Sequence, residues 1–153
     1  MAQDKFDAFA VNELLYGVLA SMFRVAGGSA AAVMRMAGTK MLEGLQEQGV
    51  TLVNGENHIE NIGEKINKLF VEAGFCDSFK FVKTDDGVTC HVENCGFWPV
   101  TKQLKEHNVP PFACPFANLS MAVIQGALGQ RSRVEKIEPG ANEGDSDIHI
   151  HFI

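Results

Sequence analysis

The 153-residue chain contains no Walker-type phosphate loop, no G-x-G-x-x-G after a strand, no G-x-S-x-G elbow and no H-E-x-x-H. These absences argue against a nucleotide enzyme of a common class. Positive charge is also short: 13 basic residues face 19 acidic ones, for a net charge of -6. Only Arg131 and Arg133, either side of Ser132, stand close together, and they read as a solvated strand face. A phosphate backbone would find no footprint, so no nucleic-acid partner is expected. Long apolar runs are missing as well. The stretch from Val11 to Ala37 is broken by Asn12, Glu13, Arg24, Gly27-Gly28 and Arg35, so no membrane insertion is expected. The opening Met1–Phe6 has no charged region leading into an apolar signal core, which makes the expected location cytoplasmic. In that compartment Cys76, Cys90, Cys95 and Cys114 are thiols or metal ligands rather than disulfides.

What is present is ordinary globular material: 46% hydrophobic and 21% charged residues, enough to close a core without a staple. There is no internal repeat and no low-complexity linker, so residues 1–153 read as a single domain. Val11, Leu14, Leu15, Val18, Leu19 and Met22 recur at helical spacing, with Asp4 as a cap and Gly27-Gly28 as a stop. Ser29 is placed to cap a second helix carrying Ala30, Val33, Met34, Ala37, Met41 and Leu45, and the short link predicts an antiparallel helical hairpin. Asn57 and Glu60 resemble a capping box before a third stripe, Ile59, Ile62, Ile66, Leu69 and Phe70, ended by Gly74.

The period then shifts to two. Phe79 and Phe81 alternate with polar neighbours, Asp85-Asp86-Gly87 turns the chain, and Val88–Asn94 returns as the second strand of a β-hairpin. Phe97, Val100 and Leu104 suggest a short helix, Pro110-Pro111 interrupts, and Phe116–Leu128 is apolar on almost every side. A second hairpin follows, Ser132–Glu138 and Asp147–Ile153. The expected fold is α+β: an antiparallel sheet of two β-hairpins with helices on one face and a helical hairpin at the N-terminus.

Two constellations carry chemistry. Phe97, Trp98, Phe112 and Phe116, beside three prolines, have the composition of a pocket for a hydrophobic or aromatic small molecule. The methionines Met22, Met34, Met36, Met41 and Met121 add adaptable apolar surface. The second constellation is metal-like. Cys95, Cys114, His149 and His151 are residue types that zinc accepts, and the two histidines share one strand face. No C-x-x-C spacing pre-assembles ligands, so buried thiols and exposed strand histidines are the competing expectation.

Val11-Asn12-Glu13-Leu14-Leu15-Tyr16-Gly17, Gly38, Val92-Glu93-Asn94-Cys95, Cys114-Pro115-Phe116 and Gly144-Asp145 together resemble the 4-vinyl-reductase-type, hydrocarbon-binding domain family. That resemblance implies a ligand-sensing module, a fold shared with TRAPP vesicle-tethering subunits, and frequent dimers. It also implies a zinc site formed by a cysteine opening the central helix, a glutamate and two late cysteines. Cys114 matches the first position and Glu135 or Glu138 the second, but Ile148 stands where a late cysteine is expected, so the implied zinc site is either lost or rebuilt from Cys114 and Glu138 with His149 or His151. Cys95-Gly96-Phe97 and Cys114-Pro115 are also similar to a thiazoline-carboxylate hydrolase family, which implies Cys114 as nucleophile or metal ligand and His91 as base.

The function expected is binding of a hydrophobic small molecule by a homodimer. The alternatives are a thiol-dependent hydrolase and a protein-interaction scaffold built on the first two helices.

Overall fold

The computed structural model describes residues 8–55, 58–110, 112 and 114–153. The chain runs α1 (Ala8–Ala26), a single 3-10 turn (Gly27–Ser29), α2 (Ala30–Glu47), α3 (Ile59–Glu72), β1 (Ser78–Lys83) and β2 (Gly87–Glu93). It continues through α4 (Trp98–Glu106), α5 (Pro115–Leu128), β3 (Ser132–Pro139) and β4 (Ser146–Phe152). The fold is α+β, as the change of hydrophobic period predicts.

One antiparallel sheet in the order β1-β2-β4-β3 joins the two hairpins through β2 and β4. Its register follows the alternation in the sequence: Val88 pairs with Ile150 and Cys90 with Ile148 on the inner face. Thr89 pairs with His149 and His91 with Asp147 on the outer face. The helices α3 and α5 cover the inner face. Ile62, Ile66 and Phe70 of α3 and Phe116, Leu119, Val123 and Ile124 of α5 meet Phe79, Phe81, Val88, Val92, Ile148 and Ile150 in the main core.

Helix α5 is central because its sequence is apolar or small on every side, and eight of its residues are buried. Its start uses Pro115, whose missing N–H costs nothing in a first turn, and its end is Gly129 in the left-handed conformation (φ 66). On its other flank lies α2. The two helices come close at Gly38, where an added Cβ would clash with the Asn118 carbonyl oxygen.

The N-terminal helices differ from a tightly packed hairpin. Ser29 makes no side-chain cap, Gly27 takes φ 53, and the chain passes from α1 to α2 through one 3-10 turn. The two helices then part company: α1 lies on α4, α2 lies on α5, and they touch each other little. Leu19, Ala30, Val100, Leu104, Val109 and Phe112 form a second, smaller core at this joint. By length and composition the helical run Ala8–Glu47 contains a window apolar enough to cross a bilayer, and 11% of that window is buried. The breaks at Asn12, Glu13, Arg24 and Arg35 therefore do not shorten it as the sequence reading expects. Asp4, Asn57 and Pro111, expected as two caps and a breaker, lie outside the described residues.

Candidate functional site

The four thiols are all free and buried. Cys90 sits on the inner face of β2 and Cys114 at the start of α5, against the same core. Burial, with the neighbouring Cys95 thiol adding to it, pushes Cys114 up to about 12. The N–H groups of Ala117 and Phe116 at the helix start pull the other way and lose. Burial, then Cys95 and Asp77, push Cys76 up to about 11, and burial also raises Cys90 and Cys95. At neutral pH these are uncharged thiols packed as small hydrophobes.

The strand histidines lie on the opposite side of the sheet. His91 meets Asp147 at 2.6 Å, His149 Nε2 lies 3.2 Å from Glu138, and His151 lies 3.1 Å from Asp86. Thr89 Oγ1 is 3.3 Å from His149 Nδ1. The sheet therefore separates Cys114 from His149, His151 and Glu138, and likewise from His91. A strand presents alternate residues to opposite faces, and α5 covers only the inner one. Among the described residues no group of three or more His, Cys, Asp or Glu side chains is arranged to hold a metal.

The four expected ligand-binding aromatics are divided between two places. Phe97 and Phe116 belong to a cluster of rings in the main core, where Phe116 meets Phe70 at 4.4 Å and Phe97 at 5.4 Å. Trp98 packs, half-buried, against that core. Phe112 lies in the smaller core, stacked on Phe23 with ring centres 5.8 Å apart.

Phe112 faces a cleft of about 340 Å³ between α2, α5 and β3. Its apolar wall is Phe23, Ala31, Phe112, Met121 and Val134, and Gly27 and Gly28 also line it. A second lobe of about 280 Å³ shares Arg35 and Met121 and continues past Leu42 and Ala122 to Arg131 and Ser132. Three features of the sequence build it. Gly38 brings α2 against α5, the glycines at the α1–α2 joint leave the end open, and β3 carries an irregularity between Val134 and Lys136. That bulge leaves Glu135 outside the ladder, beside the cleft. Sequence reasoning assigned Arg131 and Arg133 to a solvated face. A strand at a sheet edge also borders whatever packs beside that edge, and here it is the cleft.

The motifs noted in sequence at Asn94-Cys95 and Gly144-Asp145 are joined to each other. Cys95 N–H donates to the Gly144 carbonyl at 2.7 Å, and Asn94 N–H donates to Asp145 at 3.0 Å. These bonds clamp the end of β2 to the β3–β4 turn, which gives the motif a structural role.

A family model described as "Putative rubredoxin C-terminal domain" matches residues 11–152, nearly the whole chain. The chain belongs to that family. The assignment corrects the resemblance to 4-vinyl-reductase-type, hydrocarbon-binding domains: order and spacing of common elements suggested that family, and the match over residues 11–152 is to another. A protein named "Putative rubredoxin" from Methanothermobacter thermautotrophicus is 27% identical over 132 residues, 86% of this chain. The chain spans 64% of that relative's length. An uncharacterized protein of Methanocaldococcus jannaschii is 26% identical over 144 residues, covering 94% of this chain and 87% of the relative.

Proposed function

We propose that this domain binds a small apolar molecule in the cleft between α2, α5 and β3. The observation that carries the reading is the cavity of about 340 Å³, walled by Phe23, Phe112 and Met121 and bordered by polar groups. Its size and lining are those of small-molecule sites. The cleft takes over the role that the sequence gave to four aromatics, keeping Phe112 alone among them. Trp98 does not line it, so calorimetry and thermal melting are the suitable readouts. Octanol and naphthalene are expected to raise Tm, because a ligand that binds the folded state alone stabilises it by mass action. Met121→Ala is expected to diminish the effect. No rise in Tm with any of a broad apolar panel would overturn the reading.

A metal is compatible with the name of the Methanothermobacter relative, where iron is the metal suggested. The residues of this chain do not fit such a centre. A thiolate site needs deprotonated sulfur from several cysteines that converge. Here no two cysteines are spaced C-x-x-C, and among the described residues no three His, Cys, Asp or Glu side chains are arranged to hold a metal. Zinc on Cys114, His149, His151 and Glu138 meets the obstacle of the intervening sheet. We assign no chemical step to a metal on these residues. A hydrolase using Cys114 draws no support either, since its thiol is held neutral and His91 faces the other side.

A further inference from the structure

We infer that the ligand of this cleft is an amphipathic anion, a carboxylate or phosphate monoester with a short apolar body. This inference rests on the binding reading above and gives it a chemical class. Arg35 and Met121 line both lobes, which taken together make a trough. Arg35, Arg131 and Arg133 line it, from α2, from the residue before β3 and from β3. Among the described residues none of these guanidinium groups has an ion-pair or hydrogen-bond partner. Lysines of the same protein do: Lys40 pairs with Glu43, Lys68 with Glu72 and Lys136 with Glu138. In a chain with 19 acidic residues, leaving three arginines unpaired around one cleft is a feature in need of an anion.

A second observation points to the same place. Ser132 is 6% exposed, lines the second lobe, and its hydroxyl has no hydrogen-bond partner. Buried hydroxyls are ordinarily satisfied, and this one lies beside Arg131. The division of character along the trough gives the ligand's orientation. Arg35, Arg131 and Ser132 meet the anionic head, because among the described residues no carboxylate lines the second lobe. Phe23, Phe112 and Met121 meet the apolar body. Glu135, among the described residues the one carboxylate lining the first lobe, disfavours a second anionic group at the far end of the ligand. Arginine suits this task because its planar fork meets a carboxylate or phosphate through two parallel hydrogen bonds.

The test is isothermal calorimetry on the whole chain with octanoate, octyl phosphate, octanol, octylamine and inorganic phosphate. Octanoate or octyl phosphate is expected to bind at least about tenfold more tightly than octanol, the gain of a charge-assisted pair over a neutral contact. The better of the two identifies the head group. Arg35→Gln and Arg131→Gln are each expected to weaken the anion about tenfold and octanol by far less. Both positions are exposed, so the fold should tolerate the change, and an unaltered Tm without ligand checks this. Raised salt should weaken octanoate and spare octanol. Equal binding of octanol, octanoate and octylamine would overturn the anionic class while leaving the apolar cleft in place. Binding of inorganic phosphate as tight as octyl phosphate would overturn the amphipathic part. Failure of octanol and both anions alike would overturn this inference together with the proposed function.

Discussion

At the scale of single residues, charge state decides what the conspicuous side chains can do. Cys114 opens a helix, a position that favours thiolate, yet burial dominates and carries it up to about 12. Native protein at pH 8 is therefore expected to react slowly with a disulfide reagent at all four cysteines, and four thiols should appear on denaturation. A single fast thiol at Cys114 would restore the nucleophile reading. Asp145 behaves in the opposite sense. The N–H of Asn94, then the side chain of Asn142, hold its carboxyl below the ordinary 3.8. A depressed acid contributes stability that is present above its unfolded value and lost as pH falls through its folded one. Asp145→Asn should lower Tm at neutral pH and flatten the fall of Tm below about pH 3.8. An unchanged acid limb in the variant would show that the clamp between β2 and the β3–β4 turn contributes nothing.

At the scale of elements, the contact between α2 and α5 sets the width of the cleft. A methyl at Gly38 would meet the backbone carbonyl of Asn118, which cannot swing aside as a side-chain tip can. Gly38→Ala is therefore expected to cost about 1–3 kcal/mol in denaturant unfolding, and a neutral result would mean that α2 rides loosely on α5. Much of this level was legible in the sequence. Ile148, Ile150 and Phe152 alternating with His149 and His151 announced a half-exposed strand, and the stripe from Ile59 to Phe70 announced the helix beneath it. Gly38 entered only through a resemblance. A lone glycine in a helical pattern does not say which neighbour comes close. The bulge at Glu135 was hidden for a related reason: the three-residue step from Val134 to Ile137 breaks the period of two, but so short a strand does not say which residue is the extra one. Arg35 read as an interruption of a greasy run, when with Met121 it lines both lobes of the cleft.

At the scale of the whole molecule, the helices and the sheet leave different surfaces to solvent. The outer sheet face is polar, with three histidines each beside a carboxylate. The outer side of α1 and α2 is apolar: Leu14, Val18, Val25 and Met36 are 52–88% exposed. An exposed apolar surface of this kind is ordinarily covered. The homodimer expected from sequence would use it, so sedimentation is expected to show self-association that Leu14→Lys with Val18→Lys abolishes. A wild-type monomer at high micromolar concentration would count against that association.

The joint at Gly27 gives this arrangement a mechanical side. Helix α1 rests on α4, apart from the body formed by α2, α5 and the sheet, and Phe23, Gly27 and Gly28 at its base are themselves wall of the cleft. With 19 residues it is a rod about 28 Å long. A tilt of about 10° about its base would carry the Ala8 end through about 5 Å for a rod of that length. The cleft wall is thus the fulcrum of a lever, and a small displacement beside a bound molecule would be magnified several-fold at the far end of α1.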